Sequence, residues 1–383
     1  MRPVASLVAA ALAVVLVVVG WPAAAQVIPK SLERQRSETA TRTVKNEWTV
    51  GIVGGLFSGT YMRFAVELAQ ALDDENNLRV LPIVSFGAAS NLDDLLYLRG
   101  VDVAITQSDV FEYFRTVRKI PDLNQRVNYI VRLPLSEVHI LARDDIHDIN
   151  DLRGKAVNLG PVGSASSLTG AIIFQRLGIP IKQANLGYPL AFKKLKSGEI
   201  SALVRVVGKP VDALTRIPPG SGLHLISVPF SKKFADYYTL GELSHSDYPD
   251  LVPAGQQIDT IAVPAVLAVY DWSRKSDRFR RVKRFVERFF ENWQKFQNPP
   301  YHPKWRDVNL AATVPGWKRF SVAESMLRRM KMTNAAGSPE LKQAFEVFLD
   351  KKGQSNQASD KASRDALFRE FMSWRLRHGE SSH

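Results

Sequence analysis

Close to the start of the chain, a short apolar strand, a glycine-rich turn and an amphipathic helix follow one another without interruption. Residues 48–53 are apolar and largely β-branched, and residues 54–59 break that run. From Thr60 onward, apolar side chains recur at helical spacing. The first turn of such a helix has N–H groups without intrahelical partners and the positive end of the helix dipole, so it can hold an anion. A capped βα turn that binds nothing is the simpler interpretation of this stretch taken alone.

Two further strands and a helix continue the alternation. Residues 78–85 and 101–106 are extended and apolar, and residues 90–98 between them have helical spacing. Strands that alternate with helices are typical of a parallel sheet covered by helices, so the predicted fold class is α/β. Gln107 and Ser108 follow the third strand, and ligands of open α/β sheets bind beyond the carboxyl ends of strands. We expect both side chains to share a crevice with the first turn, although Ser108 as a helix cap is the alternative.

The succession of strand, turn and helix occurs again in the middle of the chain. Residues 155–160 are a predicted strand and residues 168–177 a predicted helix. The loop between them contains Gly163, Ser164, Ala165 and Ser166. This loop is expected to form a second anion cradle, contributed by a second lobe.

Other segments fit the same two-lobed plan. Residues 129–133 and 138–142 are extended and predict one crossing between the lobes, and the long apolar run 258–269 predicts the return crossing. Arg205 interrupts the otherwise apolar strand 201–207, which makes it the candidate for a charge that compensates a bound anion. A surface arginine beside a turn is the alternative interpretation.

The N-terminus has the pattern of a secretory signal peptide. Arg2 is followed by an apolar run over residues 4–19 and by three alanines at 23–25. An uncleaved membrane anchor is the alternative, but the apolar run is short for a span. The chain has no cysteine, which excludes disulfides, thiol catalysis and thiolate metal sites. For an exported protein this favours the periplasm of a Gram-negative bacterium.

The net charge of +13 is concentrated at one end of the chain. Residues 26–272 hold 26 Lys and Arg against 26 Asp and Glu, whereas residues 273–383 hold 24 against 12. A neutral main body argues against nucleic-acid binding. The basic C-terminal helices are expected to pack on the body with a solvated face; contact with a membrane or partner protein is the alternative.

The chain is too long for one hydrophobic core, and its pattern predicts several segments. These are a signal peptide (1–25), a flexible leader (26–46), a first part of lobe 1 (47–133), lobe 2 (134–257), a return segment and helix of lobe 1 (258–300) and a basic helical C-terminal extension (301–383). Within the extension, amphipathic spacing predicts helices over 305–331 and 362–377.

The chain contains an ordered set of four short motifs: Ser58-Gly-Thr-Tyr61, Gln107-Ser-Asp109, Gly160-Pro-Val-Gly-Ser164 and Val263-Pro-Ala-Val-Leu267. In this order and at this spacing, they resemble the TAXI family of TRAP-transporter solute-binding proteins. The resemblance implies a type II periplasmic-binding-protein fold whose two lobes close on a small ligand, such as a dicarboxylate or an acidic amino acid. It also implies delivery of that ligand to a TRAP-type membrane permease.

The resemblance and the helix-terminus argument together give a set of candidate ligand-binding residues. They are Ser58, Gly59, Thr60, Tyr61, Gln107, Ser108, Gly163, Ser164, Ala165, Ser166 and Arg205. The loop at 163–166 has less Gly and Thr than is usual in the family, and the loop at 207–210 reads Val-Gly-Lys-Pro in place of a more common Gly-Gly-x-Pro. Both departures bear on the identity of the ligand.

Motifs for covalent chemistry are missing from the sequence. There is no His-x-x-x-His pair, no Gly-x-Ser-x-Gly elbow and no Gly-Lys-[Ser/Thr] phosphate loop. We therefore expect a binding protein without metal or cofactor. The alternatives are a ligand-sensing or scaffold protein that presents its bound form to a membrane receptor, and an enzyme on the same fold.

Overall fold

The computed structural model describes residues 30–74 and 77–336, together with residues 345, 348, 349, 367 and 371. The expected signal peptide (1–25), the first residues of the expected leader and most of the expected helix at 362–377 lie outside the described residues. In the described part of the chain, no helix is long and apolar enough to cross a membrane.

Strands and helices alternate along the described chain, which confirms the predicted α/β class. The strands are β1 (Thr49–Gly55), β2 (Arg79–Val84), β3 (Val103–Gln107), β4 (Val127–Arg143), β5 (Ala156–Asn158), β6 (Lys182–Ala184), β7 (Ala202–Val207), β8 (Leu223–Ile226), β9 (Thr239–Ser244), β10 (Gln257–Tyr270) and β11 (Lys318–Arg319). The α-helices are α1 (Lys30–Glu47), α2 (Thr60–Leu72), α3 (Ala88–Tyr97), α4 (Ser108–Thr116), α5 (Leu123–Arg126), α6 (Ala165–Leu177), α7 (Tyr188–Lys196), α8 (Asp277–Glu291), α9 (Trp293–Phe296) and α10 (Ser321–Ala336).

The strands form an 11-stranded sheet whose main path is β2-β1-β3-β10-β4-β7-β5-β6. β1 is parallel to β2 and β3, and β5 is parallel to β6 and β7. The long strands β4 and β10 run antiparallel between these two groups; β10 pairs with β3, and β4 pairs with β7. We call β1–β3 with α2–α4 the first lobe, and β5–β8 with α6 and α7 the second lobe. Two lobes joined by two crossing strands are the architecture expected of a type II periplasmic-binding-protein fold.

The polar segment before β1 is helical, where the sequence predicts a flexible leader. α1 contains neither glycine nor proline, and its side chains from Arg34 onward are exposed. Arg34 donates to Glu38 one turn later at 3.3 Å. Pairing at this spacing and the lack of helix breakers favour a helix even without a buried face. Residues 30–44 belong to one compact unit, and the described residues from Lys45 onward belong to another.

An apolar stripe on α8 covers part of the main core. The buried residues of the stripe are Phe279, Val282, Phe285, Val286, Phe289 and Phe290. Burial of each such side chain contributes about 1.5–3 kcal/mol relative to exposure. α8 packs against β1, α2 and α10, so the helical return segment belongs to the same core as the first lobe.

The beginning of the expected C-terminal extension is built into this core. Trp305 is fully buried beside Phe64, with ring centroids 4.6 Å apart. Its indole N–H donates to the buried Glu67 carboxylate at 2.6 Å, and the His302 backbone N–H donates to the same carboxylate at 3.0 Å. The segment around residue 305 therefore packs as part of the body.

The helix predicted over 305–331 is present only from Ser321 onward. Residues Pro303–Asp307 form a single 3₁₀ turn, and the chain then runs irregularly to the short strand β11. Pro315 interrupts helical hydrogen bonding, and Gly316 has a φ of 78°, which a helix does not allow. The prediction was wrong here because the apolar spacing continues across a Pro-Gly turn.

Candidate functional site

A small cavity of about 50 Å³ lies where residues of both lobes meet near the strand ends. We call it the cleft cavity. Most of the candidate residues line it: Ser58, Gly59, Thr60, Tyr61, Ser164, Ala165, Ser166 and Arg205. An outer pocket of about 270 Å³ shares Ser58, Gly59, Thr60 and Arg205 with this cavity and adds the side chains of Arg63, Asp212, Arg216 and His302. The structure thus brings the two predicted cradles and Arg205 together.

Helix starts from both lobes lie on the wall of the cleft cavity. α2 begins at Thr60, and no side chain caps it. α6 begins at Ala165, and the Ser164 hydroxyl caps it by accepting from the Ser167 N–H at 3.1 Å. Ser164 is therefore already engaged within its own helix. The uncapped amides of α2 offer donors for an anion, and the dipoles of α2 and α6 favour negative charge.

A third helix start, that of α3, takes part in contacts between the lobes. Ala88 lines the cleft cavity. The backbone N–H groups of Ala89 and Ser90 donate to the Gly163 carbonyl at 3.1 and 3.0 Å. Gly163 itself does not line the cavity, and a Cβ there would lie 2.1 Å from the Ser90 hydroxyl. The sequence predicts that Gly163 binds the ligand. The structure instead indicates that Gly163 allows the two lobes to approach each other closely.

Arg205 is a buried cation without a counter-ion. It is 5% exposed, and among the described residues no carboxylate oxygen lies within 4 Å of it. One terminal nitrogen donates to the Ser58 carbonyl at 3.2 Å, and the guanidinium lies 4.2 Å from the Tyr188 ring centroid. Its Nε is buried without a hydrogen-bond partner. Burial lowers the pKa of Arg205, although Tyr188 opposes this, so a ligand anion would relieve the cost of burying the charge.

Ser166 and Tyr188 hold Arg205 in position. The Ser166 hydroxyl accepts from the Tyr188 hydroxyl at 2.7 Å and from the Val206 N–H at 2.8 Å. Burial raises the pKa of Tyr188, while the nearby Arg205 and the Ser166 hydrogen bond oppose that rise. Ser166 therefore orients the ring on which the guanidinium lies.

Some lining residues were not identified from the sequence. They include Tyr188 and the loop residues Phe86, Gly87 and Ala88. The rule that ligands bind beyond strand ends would have found the loop, because it follows β2. Tyr188 carried no comparable signal, because its contact with Arg205 depends on how α7 packs.

Tyr61 and Gln107 both belong to the first lobe, but only Tyr61 lines the cleft cavity. The Tyr61 hydroxyl and the Ser136 hydroxyl are 2.8 Å apart, and burial raises the pKa of Tyr61. Gln107 is fully buried and does not line the cleft cavity. Its carbonyl accepts from Thr169 at 3.4 Å, and its Nε2 has no partner among the described residues. Gln107 thus lies behind the lining residues and does not reach the cavity as the sequence interpretation expected.

Ser108 lies in a different place from the one expected. It lines a second cavity that shares no residue with the cleft cavity. It is the first residue of α4, and Gln107 before it supplies no side-chain cap. Because the chain turns into α4 at this point, Ser108 and the cleft-lining residues face different cavities.

A buried carboxylate joins the two lobes beside the cleft. Asp109 of the first lobe accepts from the Thr169 hydroxyl of α6 at 2.6 Å and from the Tyr238 hydroxyl at 3.0 Å. Burial raises the pKa of Asp109, and these hydrogen bonds oppose the rise. Across the cleft, Thr60 donates to the Gly208 carbonyl at 3.2 Å. These bonds hold the lobes in a closed arrangement.

Charged and polar groups fix the crossing strand β4 next to the cleft. Lys304 and Glu137 form a buried ion pair at 2.7 Å, and burial raises the pKa of Glu137 against the effect of Lys304. His139 is fully buried, with Nδ1 3.0 Å from the Glu137 carbonyl and Nε2 2.7 Å from the Tyr248 hydroxyl. Burial and the charge of Arg205 lower the pKa of His139 to about 3, so His139 is neutral at physiological pH.

The arrangement suits non-covalent capture of an anion. Within residues 30–74 and 77–336, no three His, Asp or Glu side chains come together as a metal site. The groups available to a ligand are the uncapped amides at the start of α2 and the guanidinium of Arg205, because the Thr60 hydroxyl already donates to the Gly208 carbonyl. All of these can donate hydrogen bonds to a carboxylate.

Solved structures with partial likeness to this chain include several binding proteins. A periplasmic transporter shares 13% identity at a TM-score of 0.45, covering 74% of this chain and 94% of its own. A TctC solute-binding protein from Polaromonas shares 17% identity at a TM-score of 0.37, and the match covers 68% of this chain and 86% of that protein. An amino acid ABC transporter substrate-binding protein from Streptococcus pneumoniae, bound to L-arginine, shares 13% identity at a TM-score of 0.35, and the match covers 65% of this chain and 92% of that protein.

The sequence itself gives a more direct assignment. Residues 52–316 match the NMT1-like family. The matched region begins in β1 and ends just before β11, so it contains both lobes, both crossing strands and every residue of the cleft cavity. The chain therefore belongs to the NMT1-like family.

Proposed function

We propose that this protein captures a small carboxylate in the cleft between its lobes. The observation that carries the proposal is Arg205, a buried guanidinium with an unpartnered Nε in a cavity bordered by helix starts. An unpaired buried cation is costly, and proteins keep one where a ligand supplies the opposite charge. A carboxylate matches the planar fork of an arginine side chain.

The cleft cavity and the outer pocket would each hold one part of the ligand. About 50 Å³ of space beside Arg205 accepts a carboxylate group and little more. The rest of the ligand would extend into the outer pocket, which Arg63, Arg216 and Asp212 line. Arg63 is paired with Glu67 at 2.9 Å, so Arg216 is the cation left for a second anionic group. This division favours a dicarboxylate or an acidic amino acid, whose second carboxylate would approach Arg216.

Closure follows from differential affinity. A ligand that contacts α2 of the first lobe and Arg205 of the second binds the closed arrangement more tightly than an open one. Bonds between the lobes, such as Thr169 to Asp109, add to the stability of the closed state. Hinge bending in β4 and β10 would separate the two walls and release the ligand unchanged.

We further propose that the protein is exported to the periplasm and delivers its ligand to a TRAP-type permease, as a TAXI-type binding protein. The signal-peptide pattern over residues 1–25 supports export. The motif resemblance at residues 58–61 and 263–267 supports the transporter type.

A thermal-shift screen of the purified protein against small carboxylates and amino acids tests binding. A ligand at 100 times its Kd should stabilise the protein by about 2.7 kcal/mol, which raises Tm by several degrees. Small-angle scattering of the same samples should show more compact particles if the ligand closes the lobes. Failure of every anion to shift Tm, confirmed by calorimetry, would refute carboxylate capture.

A further inference from the structure

A second cavity, of about 200 Å³, lies apart from the cleft cavity. Its lining comes from the start of α4, the crossing strands β4 and β10, the segment before β9 and the irregular chain before β11. No residue lines both cavities. Apart from Tyr238, whose hydroxyl donates to Asp109, the lining residues take no part in carboxylate capture, so the second cavity calls for its own explanation.

The second cavity holds a cation and a hydroxyl that lack partners. Arg132 of β4 is partly buried, and among the described residues its side chain has neither a carboxylate oxygen within 4 Å nor a hydrogen bond. Ser108 is 9% exposed, and its hydroxyl is buried without a partner. Two acidic side chains also line the cavity: Glu112 is paired with Arg115 at 2.6 Å, and Asp236 is exposed. Arg132 and Ser108 are therefore free to donate to an anionic group.

The remaining wall of the second cavity is aromatic. The rings of Trp317 and Phe111 pack with centroids 3.7 Å apart, and Tyr237 and Tyr238 also line the space. Tyr238 has its hydroxyl engaged with Asp109, so it offers mainly its ring. An apolar cavity of about 150 Å³ is known to accept benzene. A space of 200 Å³ accommodates a six-membered aromatic ring together with a small polar group.

From this combination we propose that the second cavity binds a monocyclic aromatic carboxylate. The carboxylate accepts from Arg132 and Ser108, and the ring packs against Trp317 and Tyr237. The cleft cavity, at about 50 Å³, is too small for the ring, and no residue lines both cavities. This second site therefore does not depend on carboxylate capture in the cleft.

Calorimetry with 3-phenylpropionate tests this site. We expect binding to the wild-type protein, at least tenfold weaker binding to Arg132→Gln, and unchanged binding to Arg205→Gln. Tryptophan fluorescence should report the same event, and Trp317→Phe should remove most of that signal. Phenylalanine carries the same ring and carboxylate with an added ammonium group, so tighter binding of phenylalanine would assign its amino group to Asp236 or Glu112.

The neutral amide 3-phenylpropanamide provides a control on the wild-type protein that needs no variant. It should bind at least tenfold more weakly than the acid, even if Arg132→Gln fails to fold. The proposal is overturned if neither acid binds at millimolar concentration, if acid and amide bind alike, or if Arg205→Gln and not Arg132→Gln abolishes binding. The last result would place the aromatic acid in the cleft.

Discussion

Replacement of Arg205 by methionine should separate ligand binding from folding. The substitution keeps a long apolar side chain beside Tyr188 and removes the charge. A hydrogen bond to a charged group is worth about 1.5–3 kcal/mol, so carboxylate affinity should fall roughly 10- to 150-fold. Calorimetric titration of both proteins with the same carboxylate measures this loss.

The stability of the unliganded variant should hardly change, because opposing terms nearly cancel. Arg205→Met loses a contact with the Tyr188 ring and one hydrogen bond to the Ser58 carbonyl. It also removes the cost of burying an unpaired cation. We expect the free energy of unfolding to stay within about 1 kcal/mol of the wild-type value, as measured by urea denaturation.

Arg319 is a matched control, since it is a partly buried arginine whose donors are satisfied. Its terminal nitrogens donate to four backbone carbonyls, those of residues 130, 310, 311 and 312, and its Nε lies 3.4 Å from Glu324. Arg319→Met should therefore cost about 3 kcal/mol of stability and leave affinity unchanged. Full affinity in Arg205→Met, or instability equal to that of Arg319→Met, would refute the assignment of Arg205 to the ligand.

Three further predictions concern the residues around the cleft. Because the pKa of His139 is lowered from 6.5 to about 3, its contribution to stability is complete above pH 6.5 and is lost as pH falls toward 3. The wild-type protein should therefore lose about 2 kcal/mol of stability through this group between pH 7.5 and pH 5, as measured by urea denaturation. His139→Gln should abolish that loss. Lys304→Met leaves Glu137 buried and unpaired, so it should cost about 3 kcal/mol or more in thermal unfolding, and adding Glu137→Gln should restore part of that loss. Thr169→Val removes a donor to Asp109 across the lobes and should weaken carboxylate binding about fivefold, with a less compact liganded particle in small-angle scattering; unchanged affinity and compaction would show that this bond does not stabilise closure.

The main elements were predictable because their signals are local. The glycines and the helical spacing are set by nearby residues, so the start of α2 at Thr60 could be placed from sequence; α6 begins at Ala165, three residues before the predicted start at Leu168. Arg205 was identifiable because a charge in an apolar strand needs a partner. The two crossings were evident from long apolar runs.

The positions that were misjudged depend on packing between distant segments. Gln107 ends β3 and Ser108 begins α4, but Gln107 is buried and Ser108 lines a different cavity from the cleft cavity. Tyr188 reaches Arg205 only because α7 packs beside β7. Burial of Trp305 likewise depends on Glu67, more than 200 positions earlier in the chain. Contacts between residues so far apart in the chain produce no periodic pattern in the sequence.

The central claim, that the cleft holds the carboxylate group itself, is tested most directly by comparing each acid with its amide. Isothermal titration of the wild-type protein with glutamate and glutamine, and with succinate and succinamide, measures the contribution of the charge alone. We expect at least one acid to bind ten times or more tightly than its amide, a difference of about 1.4 kcal/mol, and that preference to disappear in Arg205→Met. Equal affinity for acid and amide, or a preference that persists without Arg205, would contradict the claim.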